Sequence, residues 1–232
     1  MEQKVAIVTG ASKGIGEAIS INLASQNILV CAFGRDKKAL LELAESNENI
    51  SIYSGDLTEN NFIQKSVSEI LQKFGKIDYL INNAGLAVFK KFVDTSIEEF
   101  QDQININLYA VFNLTKSVVP HFIQRNIGTI INISSIAGKN GFVYGTTYAA
   151  SKHALMGFTK SLFLELREYN IRVSAVCPGS VETEMIINSP IQPKNIDKVL
   201  KANDVAEAVK AIINMPQNAL ISEIEIRPNN LN

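Results

Sequence analysis

The chain has 232 residues, of which 46% are hydrophobic and 19% charged, and its formal net charge at pH 7 is -1. A chain of this length can bury most of its apolar surface as one domain without disulfides or metals. A net charge near zero offers no attraction to a polyanion or an anionic membrane, so we expect neither nucleic acid nor membrane as a partner. No signal-peptide pattern opens the chain, and no apolar run reaches the ~18 residues of a membrane span, so a cytoplasmic protein is expected.

Short apolar runs rich in β-branched residues alternate with longer amphipathic stretches. This alternation is typical of βαβ units around a parallel sheet whose strands are buried on both faces. The expected strands are Val5–Thr9, Ile28–Phe33, Ile50–Ser54, Tyr79–Asn82, Gly128–Ser134, Arg172–Cys177 and Leu220–Ile226. The expected helices are Ile15–Ser25, Lys37–Ser46, Asn60–Phe74, Ile97–Arg125, Tyr148–Tyr169 and Asn203–Met215. The sequence predicts an α/β fold, a Rossmann-like doubly wound parallel sheet of about seven strands with helices on both faces.

No low-complexity linker or composition shift divides the chain, so residues 1–232 are predicted to form one dinucleotide-binding and catalytic domain. The stretch Val181–Lys201 is the one long segment without a clear secondary structure. Irregular segments of that length are usually functional lids or disordered. We expect a substrate lid at about residues 185–203.

The cysteines and histidines do not indicate a disulfide or a metal site. Cys31 and Cys177 lie in apolar, strand-like runs and are expected to be small buried hydrophobic residues, with a disulfide as the less favoured alternative. His121 and His153 show no ligand spacing to other His, Cys or carboxylate residues. We expect surface or helix-packing roles for both, and no metal.

A glycine-rich loop follows the first strand and opens the first helix. Glycines permit a tight turn and let backbone N–H groups approach a pyrophosphate, whose charge the helix N-terminus attracts. The spacing is not the usual G-x-G-x-x-G, and a plain turn is the alternative; the position in the chain favours a dinucleotide loop. Its candidate cofactor contacts are Gly10, Ser12, Lys13, Gly14, Ile15 and Gly16.

The end of the second strand indicates which dinucleotide binds. Gly34 stands where an Asp or Glu would contact a free ribose 2′-hydroxyl, and Arg35 follows it. Together with Lys13, this arrangement offers two cations to a 2′-phosphate, although both could be solvated surface charges. We predict that NADP(H) is preferred and that NAD(H) is also accepted.

Tyr148 and Lys152 are four residues apart in a predicted helix, which places them on one face. A carbonyl reductase needs an acid that protonates the alkoxide, and a free tyrosine, with a pKa near ~10, is poorly matched to neutral pH. We expect the neighbouring ammonium to lower the pKa of Tyr148. Such a pair is common by chance and does not identify a site alone.

Further motifs surround this pair. They are Asn82-Asn83-Ala84-Gly85 after the fourth strand, Asn107 in Ile106-Asn107-Leu108, Ser135 in Ile133-Ser134-Ser135, and Pro178-Gly179 with Thr183 after the sixth strand. With the T-G-x-x-x-G-x-G loop and the Y-x-x-x-K pair, the chain resembles the short-chain dehydrogenase/reductase family, in its single-domain form, over nearly its whole length. The resemblance implies an NAD(P)-dependent enzyme that acts on a small-molecule carbonyl or alcohol.

The resemblance also implies residue roles. Ser135 would hydrogen-bond the substrate oxygen, Tyr148 would be the acid/base, and Lys152 would bind the nicotinamide ribose while tuning Tyr148. Asn107 would hold a water that extends the proton path beyond Lys152. The implied cofactor contacts are Asp56 and Leu57 at the adenine, Asn83, Ala84 and Gly85 on the adenosine side, Tyr148 and Lys152, Val181 and Thr183 at the nicotinamide carboxamide, and Pro178 and Gly179.

Three of these assignments have rivals. Ser134 could replace Ser135, although the thirteen residues that separate Ser135 from Tyr148 match the family pattern. Tyr144 could compete with Tyr148, but it has no lysine four residues later and is expected to line the pocket. Asn107 could be only a buried, hydrogen-bonded amide.

The expected substrate pocket is largely apolar, which suits a small ketone, aldehyde or aliphatic acyl group. No arginine cluster is evident for a carboxylate or a carrier-protein phosphate. The predicted lining is Ala87, Val88, Phe89, Ala137, Phe142, Tyr144 and Met185.

The C-terminus departs from the family pattern. Many members end with a V-D-G-G segment, whereas this chain closes Ile224-Glu225-Ile226-Arg227-Pro228-Asn229-Asn230. This ending resembles the branch with 3-hydroxy acid and serine dehydrogenases and assorted carbonyl reductases. The resemblance implies a homodimer through the two helices that contain Asn107 and Tyr148, or a homotetramer.

The leading hypothesis is a reversible, NADPH-dependent carbonyl reductase. A 3-oxoacyl carrier-protein reductase or a 3-hydroxy acid dehydrogenase is the more specific alternative, and a non-catalytic NADP(H)-binding regulator is the alternative from another class. The complete set of Asn107, Ser135, Tyr148 and Lys152 favours the enzyme, because a pure binder has no chemical reason to retain it. A sugar-nucleotide epimerase is disfavoured because the chain has no room for a substantial C-terminal substrate domain.

Overall fold

The computed structural model describes residues 3–187 and 189–229. In this part of the chain seven strands form one parallel sheet in the order β3-β2-β1-β4-β5-β6-β7. The order reverses between β1 and β4, which confirms the predicted doubly wound fold. The strands are β1 (Val5–Thr9), β2 (Leu29–Gly34), β3 (Ile50–Ser54), β4 (Tyr79–Asn82), β5 (Gly128–Ile133), β6 (Ile171–Pro178) and β7 (Glu223–Ile226).

Helices cover both faces of the sheet because successive strand side chains point to opposite sides. On β1, Ala6 and Val8 join the hydrophobic cluster under α1 and α8, whereas Val5 and Ile7 join the cluster under α3 and α5. The helices are α1 (Gly14–Ser25), α2 (Lys37–Glu45), α3 (Asn60–Phe74), α4 (Ile97–Ile104), α5 (Ala110–Arg125), α6 (Thr146–Leu166), α7 (Glu184–Ile187) and α8 (Ala202–Ile213).

The prediction of one continuous α-helix over Ile97–Arg125 was wrong in its middle. A π-helical turn over Asn105–Tyr109 separates α4 from α5. Hydrophobic periodicity cannot reveal such a turn, because the turn inserts a single residue into an otherwise helical pattern. Asn107, a candidate catalytic residue, lies inside it and is fully buried.

The stretch Val181–Lys201 has more structure than its sequence indicated. It contains α7 and a 3₁₀ turn at Ile196–Lys198, and a parallel bridge between Val181 and Leu200 closes its base. The expected lid includes residue 188, which lies outside the described residues, as do residues 1, 2 and 230–232 at the predicted domain bounds. The lid and these bounds therefore stay predictions.

Other element ends differ from the predictions by a few residues. Strand β5 ends at Ile133, so Ser134 lies just beyond it, and β7 begins at Glu223 rather than Leu220. Helix α6 begins at Thr146, and the expected C-terminal extension to Tyr169 is a 3₁₀ turn.

The cysteines and histidines occupy structural positions. Cys31 on β2 and Cys177 on β6 are buried free thiols, as predicted. His121 Nε2 accepts the Ile77 N–H at 3.2 Å, and His153 Nδ1 lies 2.8 Å from the Ala149 carbonyl oxygen. Within the described ranges no group of three or more His, Cys, Asp or Glu residues is arranged to hold a metal ion, and no helix combines the length and apolarity of a membrane span.

Candidate active site

The candidate site residues gather at the carboxyl edge of the sheet. Strands β1, β4, β5 and β6 end at Thr9, Asn82, Ile133 and Pro178, and the glycine loop, the Asn83–Gly85 segment, Ser135 and Gly179 follow these ends; Asn107 lies in the π turn and Tyr148 in α6. In doubly wound sheets, ligands bind outside the carboxyl ends of the strands where the strand order reverses, here between β1 and β4. The topology thus brings segments far apart in sequence to one crevice.

The glycine loop requires its glycines for two separate reasons. Gly10 and Gly14 have φ angles of +64° and +62°, in the left-handed region where a side chain is strained. A Cβ on Gly16 would lie only 2.2 Å from the Gly10 carbonyl oxygen. The loop therefore turns tightly and packs its helix against β1, as the sequence predicted.

Thr9 and Asn83 hold the loop against the end of β4. Thr9 Oγ1 accepts the N–H groups of Asn83 and Ala84 at 2.9 and 3.0 Å. Asn83 Nδ2 donates to the carbonyl oxygens of Thr9, at 2.9 Å, and Gly10, at 3.3 Å. The sequence argument treated Asn83 as a cofactor contact and missed this role of Thr9; the structure shows that both residues brace the loop.

The ends of β2 and β3 carry the residues expected near the adenosine. Arg35 is exposed, and a Cβ on Gly34 would lie 3.4 Å from Ser12 Cβ, so the loop touches the end of β2. Asp56 Oδ1 accepts the backbone N–H and the hydroxyl of Thr58, both at 2.8 Å. The bonds from Thr58, with a contribution from Arg35, hold the pKa of Asp56 below its ordinary value despite partial burial. Leu57 is buried.

Asp36 is a carboxylate that the sequence argument missed. It directly follows Arg35, and its Oδ1 accepts the Ala39 N–H at 3.1 Å as the N-cap of α2. This cap occupies one carboxylate oxygen in stabilising the helix terminus. The end of β2 therefore carries a carboxylate beside Arg35, which the prediction from the two cations Lys13 and Arg35 did not include.

Lys13, the other candidate for the 2′-phosphate, already has a partner. Its ammonium forms an ion pair with the Glu184 carboxylate on α7, and both side chains are about 70% exposed, at 69% and 70%. The neighbouring backbones are close, since a Cβ on Gly14 would lie 3.4 Å from Thr183 Cγ2. The glycine loop is thus linked to the segment that follows β6.

That segment packs against the C-terminal part of the chain. The Gly179 N–H donates to the Ile226 carbonyl oxygen at 2.8 Å, and a Cβ on Gly179 would lie 3.2 Å from Pro228 Cδ. Val181 is buried, and Thr183 Oγ1 lies 3.4 Å from the Val181 carbonyl oxygen. Val181, Thr183 and Gly179 therefore lie beside the crevice where the sequence placed them.

Tyr148 and Lys152 lie on one buried face of α6. They are 9% and 4% exposed, and Lys152 Nζ is 5.9 Å from the centroid of the Tyr148 ring. Lys152 Nζ donates to the Ile133 carbonyl oxygen at 2.9 Å, which ties it to the end of β5. The pair is as close as its i, i+4 spacing predicts.

The prediction that the pKa of Tyr148 is lowered was wrong. Burial raises the pKa of Tyr148 to about 12, and only a hydrogen bond with the Ser135 side chain opposes it among the described groups. Burial also lowers the pKa of Lys152 to about 8, against a small opposite effect of Cys177. Desolvation penalises the charged forms of both groups and is the largest cause of both shifts.

Ser135, rather than Ser134, faces Tyr148. Ser135 caps the 3₁₀ turn Ile136–Gly138, with its Oγ accepting the Ala137 N–H at 3.1 Å, and it interacts with the Tyr148 hydroxyl. Ser134 Oγ is buried without a hydrogen-bond partner among the described residues. The geometry therefore favours the serine that the spacing selected.

Asn107 is a fully satisfied buried amide. Its Oδ1 accepts the Leu86 N–H at 2.8 Å, and its Nδ2 donates to the Leu86 carbonyl oxygen at 2.8 Å and to Ser151 Oγ at 2.9 Å. A Cβ on Gly85 would lie 3.4 Å from Asn107 Oδ1 and 3.7 Å from Lys152 Nζ, so Asn107 and Lys152 flank the same glycine. Because the side-chain amide of Asn107 already hydrogen-bonds Leu86 and Ser151, a water held by Asn107 is expected at its backbone.

An apolar cluster packs around the Tyr148 ring. The rings of Phe89 and Tyr148 meet edge to face with centroids 5.5 Å apart, and Phe142 lies 6.0 Å from Phe89. The Val88 N–H donates to Gln103 Oε1 at 3.1 Å. The members of this cluster are Phe89, Ala137, Tyr148, Ala87, Tyr144, Ile186 and Ile191.

The predicted pocket lining needs one correction on α7. Ile186 packs in the cluster, whereas Met185 is 38% exposed. Ile191, from the same lid segment, was also missed, because an irregular stretch has no periodicity that shows which side chains turn inward. Phe142 is 36% exposed and lies at the rim.

Sequence comparison supplies the family. The family described as short chain dehydrogenase matches residues 4–194. The chain belongs to this family. The predicted resemblance is thereby confirmed, together with the prediction of an NAD(P)-dependent dehydrogenase or reductase.

Relatives of this short-chain dehydrogenase include a 3-oxoacyl-[acyl-carrier-protein] reductase of Thermotoga maritima, which is 39% identical over 82% of this chain and 79% of the relative. A metagenomic short-chain oxidoreductase solved in complex with NADP is 33% identical, covers 98% of both chains, and superposes with a TM-score of 0.85. A 3-ketoacyl-(acyl-carrier-protein) reductase of Brucella melitensis complexed with NADH is 28% identical with a TM-score of 0.91, again over 98% of both chains.

Proposed function

We propose that this short-chain dehydrogenase is an NADPH-dependent carbonyl reductase, which reversibly converts a ketone, an aldehyde or a 3-oxoacyl group to the alcohol. The observation that carries the proposal is the buried face of α6, on which Tyr148 and Lys152 lie together, with Lys152 Nζ 5.9 Å from the centroid of the Tyr148 ring and Ser135 near enough to influence the pKa of Tyr148. An acid, a polar group for the substrate oxygen and an ammonium thus meet at one point beneath an apolar cluster.

The residues around the crevice fit a dinucleotide. The left-handed Gly10 and Gly14 expose backbone at the N-terminus of α1, where phosphate charge is stabilised. Lys13 and Arg35 provide cations for a 2′-phosphate, and the NADP complex of the metagenomic relative supports this choice. The NADH complex of the Brucella relative makes NADH the necessary comparison. When bound, the dinucleotide supplies the hydride.

Tyr148 is the proton donor of the proposed reaction. With a pKa of about 12, Tyr148 keeps its proton at neutral pH and donates it to the alkoxide oxygen as the carbonyl is reduced. Ser135 hydrogen-bonds that oxygen. Lys152, whose pKa is about 8, holds the nicotinamide ribose and returns a proton toward Tyr148. The backbone of Asn107 continues that path.

The apolar cluster and the lid select the substrate. Phe89 and Ala137 offer no charge to bind a carboxylate, and Ile186 and Ile191 bring the expected lid over about residues 185–203 onto the same surface. A buried apolar surface with few polar anchors favours a small or aliphatic carbonyl compound. The Thermotoga relative adds 3-oxoacyl thioesters to the candidate substrates.

The test is a substrate panel followed by the absorbance of NADPH. Ketones, aldehydes, 3-oxoacyl thioesters and, in the reverse direction, hydroxy acids are compared for kcat/KM. Turnover by the wild type that persists undiminished in Tyr148→Phe would disprove the mechanism. Tight NADPH binding without turnover of any compound would instead favour a regulatory protein.

Cofactor preference has its own test. The double variant Lys13→Ala, Arg35→Asp should lose its preference for NADPH over NADH, because two cations are removed and a carboxylate is added next to the ribose. The readout is the ratio of kcat/KM for the two cofactors. An unchanged ratio would show that other groups read the phosphate.

We also propose self-association through α5 and α6. Phe112 on α5 is 43% exposed and pairs with the Phe158 ring of α6 at 6.2 Å, while Tyr109 and Leu164 are 56% and 61% exposed. Exposed apolar side chains grouped on adjacent helices are typical of an interface. Light scattering of Leu164→Glu and wild-type protein tests it: the variant should shift toward monomer.

A further inference from the structure

Lys13 lies between two parts of the crevice. On one side its neighbour Ser12 approaches Gly34 at the end of β2, where a Cβ would lie 3.4 Å from Ser12 Cβ. On the other side its neighbour Gly14 approaches Thr183, with a Cβ-to-Cγ2 distance of 3.4 Å. One lysine side chain can therefore reach toward the ribose end or toward α7.

In the structure the lysine is turned toward α7. Its ammonium pairs with Glu184, the first residue of that helix, and its side chain is 69% exposed. No side-chain cap bond restrains Lys13 at the start of α1, where its backbone is extended with φ at -166°. An exposed ion pair of this kind contributes little to stability, so a stronger anion can displace the carboxylate.

The ribose end offers Lys13 a stronger anion. A phosphate monoester carries a charge of about -1.5 to -2 near neutral pH and three acceptor oxygens, against one charge on Glu184. Arg35, exposed at the end of β2, adds a second cation there. Asp36 is the other anion near Arg35, and one of its carboxylate oxygens, Oδ1, is already used to cap α2.

The lid base has a second ion pair, which does not involve the glycine loop. Lys201 pairs with Glu182, and the Lys201 N–H also donates to Asp204 Oδ2 at 2.7 Å. Glu182, whose side chain is 36% exposed, and Glu184, whose side chain is 70% exposed, are thus two carboxylates of one short segment, each paired with a lysine. The partner of Glu184 is Lys13 of the glycine loop, whereas the partner of Glu182 is Lys201 outside it, so Glu182 serves as a matched control.

We infer that Glu184 and the 2′-phosphate of the cofactor compete for Lys13, so that NADPH, unlike NADH, releases α7 from the glycine loop as it binds. Glu184, at the start of α7, then weakens NADPH binding by holding Lys13. The inference rests on the proposed preference for NADPH. It assigns Glu184 a part in cofactor specificity and couples cofactor identity to the lid.

The first experiment uses fragments that lack the nicotinamide. Calorimetric titrations compare adenosine 2′,5′-bisphosphate with adenosine 5′-monophosphate on the wild type, Glu184→Gln and Glu182→Gln. Glu184→Gln should bind the bisphosphate about two- to fivefold more tightly, since the competing exposed pair is gone, and bind the monophosphate unchanged. Glu182→Gln should change neither constant.

The second experiment observes the lid. Trypsin cleavage after Lys194 in the wild type should be faster with saturating bisphosphate than with saturating monophosphate. Glu184→Gln should show the faster rate with either nucleotide. Equal rates with both nucleotides in the wild type would overturn the coupling to the lid.

A third variant separates failure of this inference from failure of the proposed cofactor. If Lys13→Ala weakens bisphosphate binding while Glu184→Gln leaves it unchanged, the competition is wrong and the cofactor assignment stands. If Lys13→Ala weakens neither fragment or both equally, Lys13 does not read the 2′-phosphate, and the competition falls together with the assignment of Lys13, while the preference for NADPH then depends on Arg35. A Glu184→Gln variant that tightens both fragments equally also overturns the competition, because the gain would then be general electrostatics.

Discussion

The two edges of the sheet handle buried charge in opposite ways. At the amino edge, Asp78 accepts the Val5 N–H at 3.0 Å and pairs with Lys4 and Arg125 at 3.1 and 3.2 Å. Burial alone would raise the pKa of Asp78, but these partners outweigh it and hold the pKa below its ordinary value. At the carboxyl edge, burial wins: the pKa of Tyr148 is raised and that of Lys152 is lowered.

Arg172 is a buried cation at the amino edge whose pKa is lowered by burial, and hydrogen bonds rather than a carboxylate compensate it. Near the start of β6, its guanidinium donates to Thr129 Oγ1 at 3.0 Å and to the Met215 carbonyl oxygen at 2.9 Å, just beyond the end of α8. At the other end of β6, the crevice holds the reactive groups. At the amino edge Asp78 has charged partners and Arg172 several hydrogen bonds, whereas Tyr148 and Lys152 at the carboxyl edge have fewer partners, which is typical of reactive groups. Substitutions at the two edges should therefore change different quantities.

Tyr148→Phe should have the largest effect, on activity only. Loss of the acid should lower kcat about a thousandfold, within the range of general acid catalysis, because the phenol supplies the proton. Tyr144→Phe, which removes a hydroxyl in the same apolar cluster, should keep kcat within about threefold as the matched control. Steady-state kinetics with thermal melts checks both, and an equal loss in the two variants would contradict the assignment.

Asp78→Asn should have the opposite profile. Removing the buried carboxylate takes the charged partner from Lys4, which is 43% exposed, and from Arg125, which is 26% exposed, so the free energy of unfolding should fall by about 2 kcal/mol. The value of kcat per folded molecule should not change. Urea denaturation measures the change in the free energy of unfolding. Glu69→Gln, which removes the exposed ion pair with Lys65, is the control and should change that free energy by almost nothing. A selective loss of kcat in Asp78→Asn would break the contrast.

The pH dependence of stability should reveal the undercompensated Lys152. Because its pKa falls from 10.5 to about 8 on folding, the unfolded chain binds more protons between these values. This residue therefore makes stability rise with pH across that window, by about 2 kcal/mol from pH 8 to pH 9.5, relative to Lys152→Met. Tyr148, with its raised pKa, lowers stability only above about pH 10.

The measurement is urea unfolding of both proteins at several pH values. The free energy of unfolding of the wild type should rise relative to that of Lys152→Met as the pH rises from 8 to 9.5. Parallel curves would show that Lys152 is charged in the folded protein throughout, and that burial does not dominate at this edge.

Ser96→Ala should have the smallest effect and belongs to neither edge. Ser96 caps α4, with its Oγ accepting the Glu99 N–H at 3.1 Å while Glu99 accepts the Ser96 N–H at 3.0 Å. Losing this capping box should cost about 1 kcal/mol of unfolding free energy and leave kcat unchanged. Thermal melts at one pH measure this loss of stability, with which the stability changes at Asp78 and Lys152 are compared.

Much of the fold and part of the site could be predicted from local pattern. The strands, the glycine loop and the pair of Tyr148 and Lys152 follow from spacing over a few residues, which periodicity and turn chemistry determine. The π turn around Asn107 could not be predicted, because its amide bonds the backbone of Leu86, twenty-one residues earlier in the chain. Likewise, nothing local indicates that Ile186 turns inward while Met185 is exposed.

By itself, the sequence determined the sheet, the family resemblance and which residue types carry the chemistry, because these depend on local order along the chain. Only the tertiary structure decided how those residues are charged and with whom they pair. The sign of the pKa shift at Tyr148 depends on burial by distant segments, and Lys13 meets Glu184 across 171 positions of sequence. Desolvation and Coulomb energy depend on distance in space, so only the folded chain determines them.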